Sequence, residues 1–202
     1  MSASQSMQTQ SPSVSLASLR SRLAAHQPVE RTQHNLKPAA VLVLVIERTA
    51  GSQLEVLFIR RADGTDIHAG QVAFPGGSCE VSDADAWQTA LREASEEVGL
   101  PAERVECIGR LNDYQTITDF HVSPFVGVIH GEFEVVPDPI EVAEVFRVPL
   151  DALLTMRMDT HTWEHIPGVR FQVFRYGDQV IWGATAEMLK SFLSLLGRTE
   201  NL

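Results

Sequence analysis

The chain has 202 residues, 44% of them hydrophobic and 21% charged, the balance of a globular protein with enough length to bury one sizeable core. Its net charge of −10 argues against binding to nucleic acid or to an anionic membrane surface, because both attract basic faces. Cys79 and Cys107 make no CxxC pair, so two reduced thiols in a cytoplasmic protein are expected in place of a disulfide framework.

Residues 1 to about 14 are rich in Ser and Gln and are expected to be disordered. They lack the basic-then-apolar order of a secretion signal, and no apolar run reaches the length of a membrane span. "LASLRSRLAAH", residues 16–26, puts Leu16, Leu19 and Leu23 on one side and predicts a short amphipathic helix. "QPVERTQHNLKP" reads as a linker. Residues 1–35 are therefore expected to form a polar extension, and residues 36–198 a single domain.

From Ala39 the texture changes to short runs of β-branched residues. "AAVLVLVIE" and "LEVLFIR" predict two strands around the turn signal "RTAGSQ". "QVAF", residues 71–74, predicts a third, ended by Pro75-Gly76-Gly77. "VECIGRL", "VSPFVGVIH", "FEVV", "RFQVFRY" and "QVIW" predict further strands. Helices are expected near 84–98 and 185–196. Strands with interspersed helices imply an α/β (α+β) sandwich on a mixed sheet.

The helix near 84–98 carries "REASEEVGL", which crowds Glu93, Glu96 and Glu97 into five positions. Like charges at helical spacing destabilise a helix by about 0.2–0.5 kcal/mol per pair. Ser82 or Asp83 can cap the helix, Asp85 adds charge to its first turn, and Gly99 with Pro101 stops it. At about 100° per residue, Trp87, Ala90, Leu91, Ala94 and Val98 form an apolar stripe. Glu93 and Glu97 stack along its border, with Glu96 further round. A solvated acidic face accounts for Glu96 but not for the other two. Two carboxylates beside a core edge suit a hard divalent cation, Mg²⁺ or Mn²⁺, which would remove their repulsion.

The preceding loop makes the pattern specific. Arg92-Glu93-Ala94-x-Glu96-Glu97-x-Gly99-Leu100 resembles the second half of the Nudix box, G-x5-E-x7-R-E-U-x-E-E-x-G-U with U aliphatic. Its first half fits with one inserted residue, so that Gly77 and Asp83 take the Gly and Glu places. The longer spacing resembles the coenzyme A pyrophosphatase branch, through Gly76-Gly77, Glu80, Asp83 and Thr89 to Glu93. Arg61-Ala62, Gly70 and Phe74-Pro75-Gly76-Gly77 match that branch's upstream signature, but Asp66 stands where it has a second arginine. "EVAEVFRVPLDALL" and "IWGATAEML" extend the likeness over about residues 39–196.

The resemblance implies a Nudix-type α/β/α sandwich and a metal-dependent hydrolase that cleaves the diphosphate of coenzyme A or acyl-CoA. It implies Mg²⁺ or Mn²⁺ on Glu93 and Glu97 with Glu96, and catalytic roles for Glu93 and Glu96. The base that takes the proton of water stays open among Glu80, Glu96, Glu141 and Glu144. Arg60, Arg61, His68, Phe74, Gly76 and Gly77 are the expected substrate contacts, and Arg92 is expected to pair with a carboxylate such as Asp83. Alternatives are another nucleoside diphosphate derivative, such as NADH or ADP-ribose, or a non-catalytic ligand-binding domain. A homodimer is compatible with all of these. Outside the box, His161 and His165 in "HTWEH" are expected in a loop and not as a metal pair. Cys79 is expected to be incidental, and Trp87 and Trp182 to be core aromatics. His121 and Phe125 are expected either to line the substrate pocket or to pack.

Overall fold

Alternating burial and β-branched side chains build the centre of the molecule, as seen in a computed structural model that describes residues 14–31, 35–63, 69–162 and 170–198. In chain order the elements are α1 (Leu16–Ala25), β1 (Lys37–Glu47), β2 (Leu54–Arg61), β3 (Val72–Ala73) and β4 (Gly76–Ser78). Then come α2 (Ala86–Val98), β5 (Val105–Arg110), β6 (Tyr114–Gln115), β7 (Phe120–His130) and β8 (Val142–Pro149). The chain continues with α3 (Leu150–Thr155), β9 (Met158–Thr162), β10 (Arg170–Tyr176), β11 (Gln179–Ile181) and α4 (Gly183–Leu195).

β1 and β7 lie parallel along eleven paired positions from Lys37↔Phe120 to Glu47↔His130. The opposite edge of β1 is shared by β2 and β4, both antiparallel to it. β2 also carries β3 and β8, and β7 carries β5 and β6, which completes a mixed eight-stranded sheet. A separate antiparallel sheet runs β11-β10-β9.

The period of two along β1 decides the layers. Ala40, Leu42, Leu44 and Ile46 face one way, onto Ala90, Leu91, Ala94 and Val98 of α2. Ala39, Val43 and Val45 face the other way, onto a larger core with Leu19 and Leu23 of α1, Leu150 and Leu153 of α3, and Leu189 and Phe192 of α4. Helices on both faces of a mixed sheet make the expected α/β/α sandwich.

Several elements differ from expectation. "FEVV" forms no strand; Phe133 is buried and Val136 N–H donates to Val98 O at 3.0 Å, so this segment laces the end of α2. β8 takes the edge position instead, inside a stretch singled out only by family likeness. The third strand is just Val72–Ala73, and Gly76–Ser78, expected as loop, pairs with β1. His161 lies in β9 and not in a loop; His165 lies outside the described residues. The expected helix at 16–26 is α1, and its leucines join the main core.

Candidate active site

Asp85 and not Ser82 or Asp83 caps α2: its side chain accepts from Gln88 N–H at 2.9 Å. Gly99 closes the helix at φ 68°, a left-handed conformation that favours glycine. Between these ends the acidic side chains are sorted by depth. The Glu97 side chain is 1% exposed, Glu93 16% and Glu96 58%. Periodicity put Glu97 at the border of the apolar stripe, but it is buried with Ala94 and Val98 because β4 covers that side.

Gly76 N–H donates to Glu97 Oε2 at 2.9 Å. On its other side, Arg61 Nη1 stands 3.5 Å from Glu97 Oε1. The two glycines of β4 are close-approach positions. A Cβ on Gly77 would lie 2.4 Å from Glu93 Oε2, and one on Gly76 would lie 2.3 Å from Ala40 O. Side chains at both places would collide, so β4 lies this close to α2 at Gly77 and to β1 at Gly76 only because both are glycine.

Arg92 is the brace. Its Nε and Nη2 grip Asp83 Oδ1 and Oδ2 at 3.0 and 3.1 Å, the expected pairing. The same guanidinium reaches Ser78 O at 3.1 Å, Glu93 Oε1 at 3.0 Å and Glu96 Oε2 at 3.1 Å. Thr89 Oγ1 also donates to Asp83, at 2.8 Å. The Arg92 hydrogen bonds hold the Asp83 carboxyl well below the usual carboxylate range. Through these contacts Arg92 ties the acidic loop, β4 and α2 into one unit.

Electrostatics mark the same carboxylates. Burial pushes the Glu97 carboxyl up to about 8, against the pull of Gly76 N–H and Arg61, with Glu93 and Glu141 adding repulsion. Burial also raises Glu93, opposed by Arg92 and reinforced by Glu96 and Glu141. Two carboxyls held upward by desolvation and mutual repulsion are a donor set that a hard divalent cation would keep ionised. Among the described residues no three Asp, Glu, His or Cys side chains stand ready-made around one point. The fit to a metal therefore rests on the chemistry of the donors.

Other expected site residues are distributed more widely. Arg60 and Arg61 are successive on β2 and turn to opposite faces. Arg61 meets Glu97, whereas Arg60 Nε pairs with Glu144 Oε2 at 3.2 Å. Glu144 also accepts from Gln179 Nε2 at 3.0 Å. Phe74 is buried and stacks on Phe58 at 4.9 Å between centroids. His68 and Asp66 lie outside the described residues. Glu80 accepts from Ser82 Oγ at 3.2 Å and stands 4.0 Å from Arg92.

His121 is engaged elsewhere: its Nε2 lies 2.8 Å from Asp113 Oδ2, in a cluster with Arg110 and Ser123. Phe125 packs on Trp87, centroids 5.6 Å apart. Trp87 is only partly buried, and Trp182 precedes α4 outside both cores, so neither is a fully buried core aromatic. Glu141 is one of the four candidates that the sequence leaves open for the base, and no local pattern ranks it above the others. The fold brings it to the end of β2, where its carbonyl accepts from Ala62 N–H at 2.8 Å, and its charge acts on the carboxyls of both Glu93 and Glu97.

Comparison with known proteins bears on this arrangement. The family model of the NUDIX domain matches residues 36–169. An uncharacterized Nudix hydrolase, NudL, of Yersinia pestis (strain Pestoides F) is 38% identical over 154 residues, covering 75% of this chain and 76% of that protein. NudL of Yersinia pseudotuberculosis serotype O:1b is similar to the same extent, 38% over 154 residues. Among solved structures, a MutT/nudix family protein from Enterococcus faecalis superposes with a TM-score of 0.51 at 20% identity. It covers 93% of this chain and 72% of that one, a likeness of fold.

Proposed function

The chain belongs to the Nudix domain family, and on that premise we propose that it is a metal-dependent hydrolase of a nucleoside diphosphate derivative, with the diphosphate of coenzyme A or acyl-CoA as its substrate. The observation that carries this reading is the pair of Glu97, buried, and Glu93, half-buried, on one helix facing a strand made bare by Gly76 and Gly77. A carboxyl as desolvated as Glu97 is costly to a fold unless a function uses it. The Yersinia relatives carry the name Nudix hydrolase, which supports the reaction class.

Glu93 and Glu97, with Glu96 beside them, would hold Mg²⁺ or Mn²⁺, which when bound would supply neutralisation of phosphate charge and polarisation of a water. The chain's own residues prepare that site. Gly76 N–H fixes Oε2 of Glu97 and leaves Oε1 toward Arg61. Arg92 holds Glu93 and Glu96 in place and is committed to carboxylates of the loop and helix. Arg61, on the face of Glu97, is the arginine suited to a substrate phosphate, whereas Arg60 is committed to Glu144.

The proton of the attacking water needs an acceptor. Glu144 is held by Arg60 and Gln179, Glu96 by Arg92, and Glu80 by Ser82. Glu141 is exposed, acts electrostatically on both metal carboxylates, and has no side-chain hydrogen bond or ion pair among the described residues. We therefore take Glu141 as the general base.

The test is direct. Purified protein with Mg²⁺ or Mn²⁺ is incubated with CoA, acyl-CoA, NADH, ADP-ribose and dinucleoside polyphosphates, and products are identified by mass spectrometry in ¹⁸O-water. Release of 3′,5′-ADP and 4′-phosphopantetheine, one of them labelled on phosphorus, is expected. Turnover of ADP-ribose or NADH without CoA would move the substrate and keep the reaction. Free CoA from acyl-CoA, or no turnover of any diphosphate with metal bound, would overturn the reading.

A further inference from the structure

Away from the carboxylates, the small sheet carries a second feature with ligand chemistry. A cavity of about 280 Å³ is lined by His161, Phe171, Val173, Arg175, Val180 and Trp182. The strand register gathers them on one side: Phe171 pairs with His161, and Arg175 with Val180. Their neighbours of opposite parity, Phe174 and Ile181, are buried in the main core. Phe171 stacks on His161 at 6.1 Å and 28°, and meets Trp182 at 5.8 Å and 52°. All three rings are only partly buried.

The groove also carries a cation. Arg48, Arg60, Arg61, Arg92, Arg110 and Arg147 all stand in ion pairs. Arg175 is exposed, lies 3.5 Å from His161 Nε2, and has no carboxylate in ion-pair reach among the described residues. In a chain of net charge −10, a cation left open beside a set of rings is complementary to an aromatic anion. The cavity is slightly below the roughly 300–1,000 Å³ of sites that enclose a whole drug-sized ligand. It suits one ring system and its nearest charged group. The groove is also tied to the hydrolytic side, since β11 lies against β3, the strand that leads into Gly76, and Gln179 of β11 holds Glu144.

We propose that this groove binds the nucleobase end of the nucleotide, with the base against Phe171 and Trp182 and its nearest phosphate on Arg175. The proposal rests on the hydrolase reading only in taking that nucleotide to be part of the substrate. Base stacking on aromatic side chains and an arginine contact to phosphate are separable contributions. They can therefore be measured apart, without metal and without turnover.

The experiment is calorimetric titration of the metal-free full chain with AMP, adenosine and ribose 5-phosphate. AMP should bind at least about tenfold more tightly than ribose 5-phosphate, the loss expected when a stacked base is removed. Arg175→Ala, at an exposed position, should weaken AMP by about tenfold while leaving adenosine unchanged. Trp182→Leu should weaken AMP and adenosine alike; Arg175→Ala keeps the test decisive if that variant folds poorly. Equal affinity for AMP and ribose 5-phosphate, or AMP binding unchanged by Arg175→Ala, overturns the proposal. So does a dimer that Arg175→Ala dissolves without any AMP binding, which would make the face a subunit contact. Failure of diphosphate hydrolysis leaves these titrations readable, so the two readings fail separately.

Discussion

Glu97 holds a proton in the folded metal-free protein up to about pH 8, whereas its ordinary carboxyl value is 4.5. Between those values the unfolded chain binds fewer protons at this site than the folded one, so stability falls as pH rises through the window. Metal-free protein should therefore melt at progressively lower temperature from about pH 5 to pH 8, and Glu97→Gln should lack that component. A glutamine also keeps an acceptor for Gly76 N–H, so the metal-free variant should be no less stable than the parent near pH 8. A melting curve set against pH for both proteins checks this. The same variant loses a metal carboxylate, and kcat with Mg²⁺ or Mn²⁺ should drop by at least about 100-fold.

The role proposed for the base can be separated from that of the metal ligands. Glu141→Gln should lower kcat by about 10²–10⁴-fold, the range of a positioned proton acceptor, while Mn²⁺ affinity measured by titration stays within a few-fold. Loss of metal binding with the loss of rate would make Glu141 a ligand instead. Arg60 and Arg61 show why residue-level roles were only partly legible in the sequence. Both precede the box and both are cationic, but the period of two along β2 sends them to opposite layers. Their partners, Glu144 and Glu97, lie 84 and 36 positions away in the chain.

At the scale of elements, α2 was the most legible part of the molecule. Its apolar stripe and its stop at Gly99 follow from a period of 3.6 and from the left-handed φ that glycine accepts, whereas the depth of Glu97 is set by β4. β4 was illegible because three residues, Gly76–Ser78, carry no periodicity, and the glycines read equally well as a ligand loop. The structure makes them contact points of unequal kind, and that difference is testable. Gly77→Ala would push only the end of the flexible Glu93 side chain, 2.4 Å away. It should leave the melting temperature nearly unchanged while weakening Mn²⁺ binding by about tenfold or more. Gly76→Ala would drive into the backbone at Ala40 and Val41 from φ 150°. It should cost at least about 1–3 kcal/mol of stability. Denaturant unfolding of both variants, with metal titration of the folded one, distinguishes the effects. Equal destabilisation would mean that β4 shifts as a body.

At the scale of the whole molecule, the sandwich followed from the alternation of strand and helix patterns, but the place of the N-terminal segment did not. Leu16, Leu19 and Leu23 suggested an amphipathic helix without saying what it covers, because its seat lies on β5. That seat is specific: a Cβ on Gly109 would stand 2.9 Å from Leu23 Cβ, and Arg20 pairs with Glu106. The linker that follows is fastened as well. Val29 N–H donates to Asn112 Oδ1 and Arg31 N–H to Asp113 Oδ2, both at 2.9 Å, while Arg110 reaches Glu30. Leu19 is 0% and Leu23 4% exposed, so α1 is part of the same core as α4 and the sheet. Leu23→Ala should therefore destabilise the entire protein by about 2–5 kcal/mol, the cost of deleting a buried leucine side chain. Unfolding followed by near-UV and far-UV circular dichroism should shift together as one transition. A helix that merely rested on the surface would fray alone, and the main transition would stay where it was. Glu93 and Glu97, the proposed metal ligands, lie across the sheet from α1, so kcat of the folded Leu23→Ala protein should remain near that of the parent.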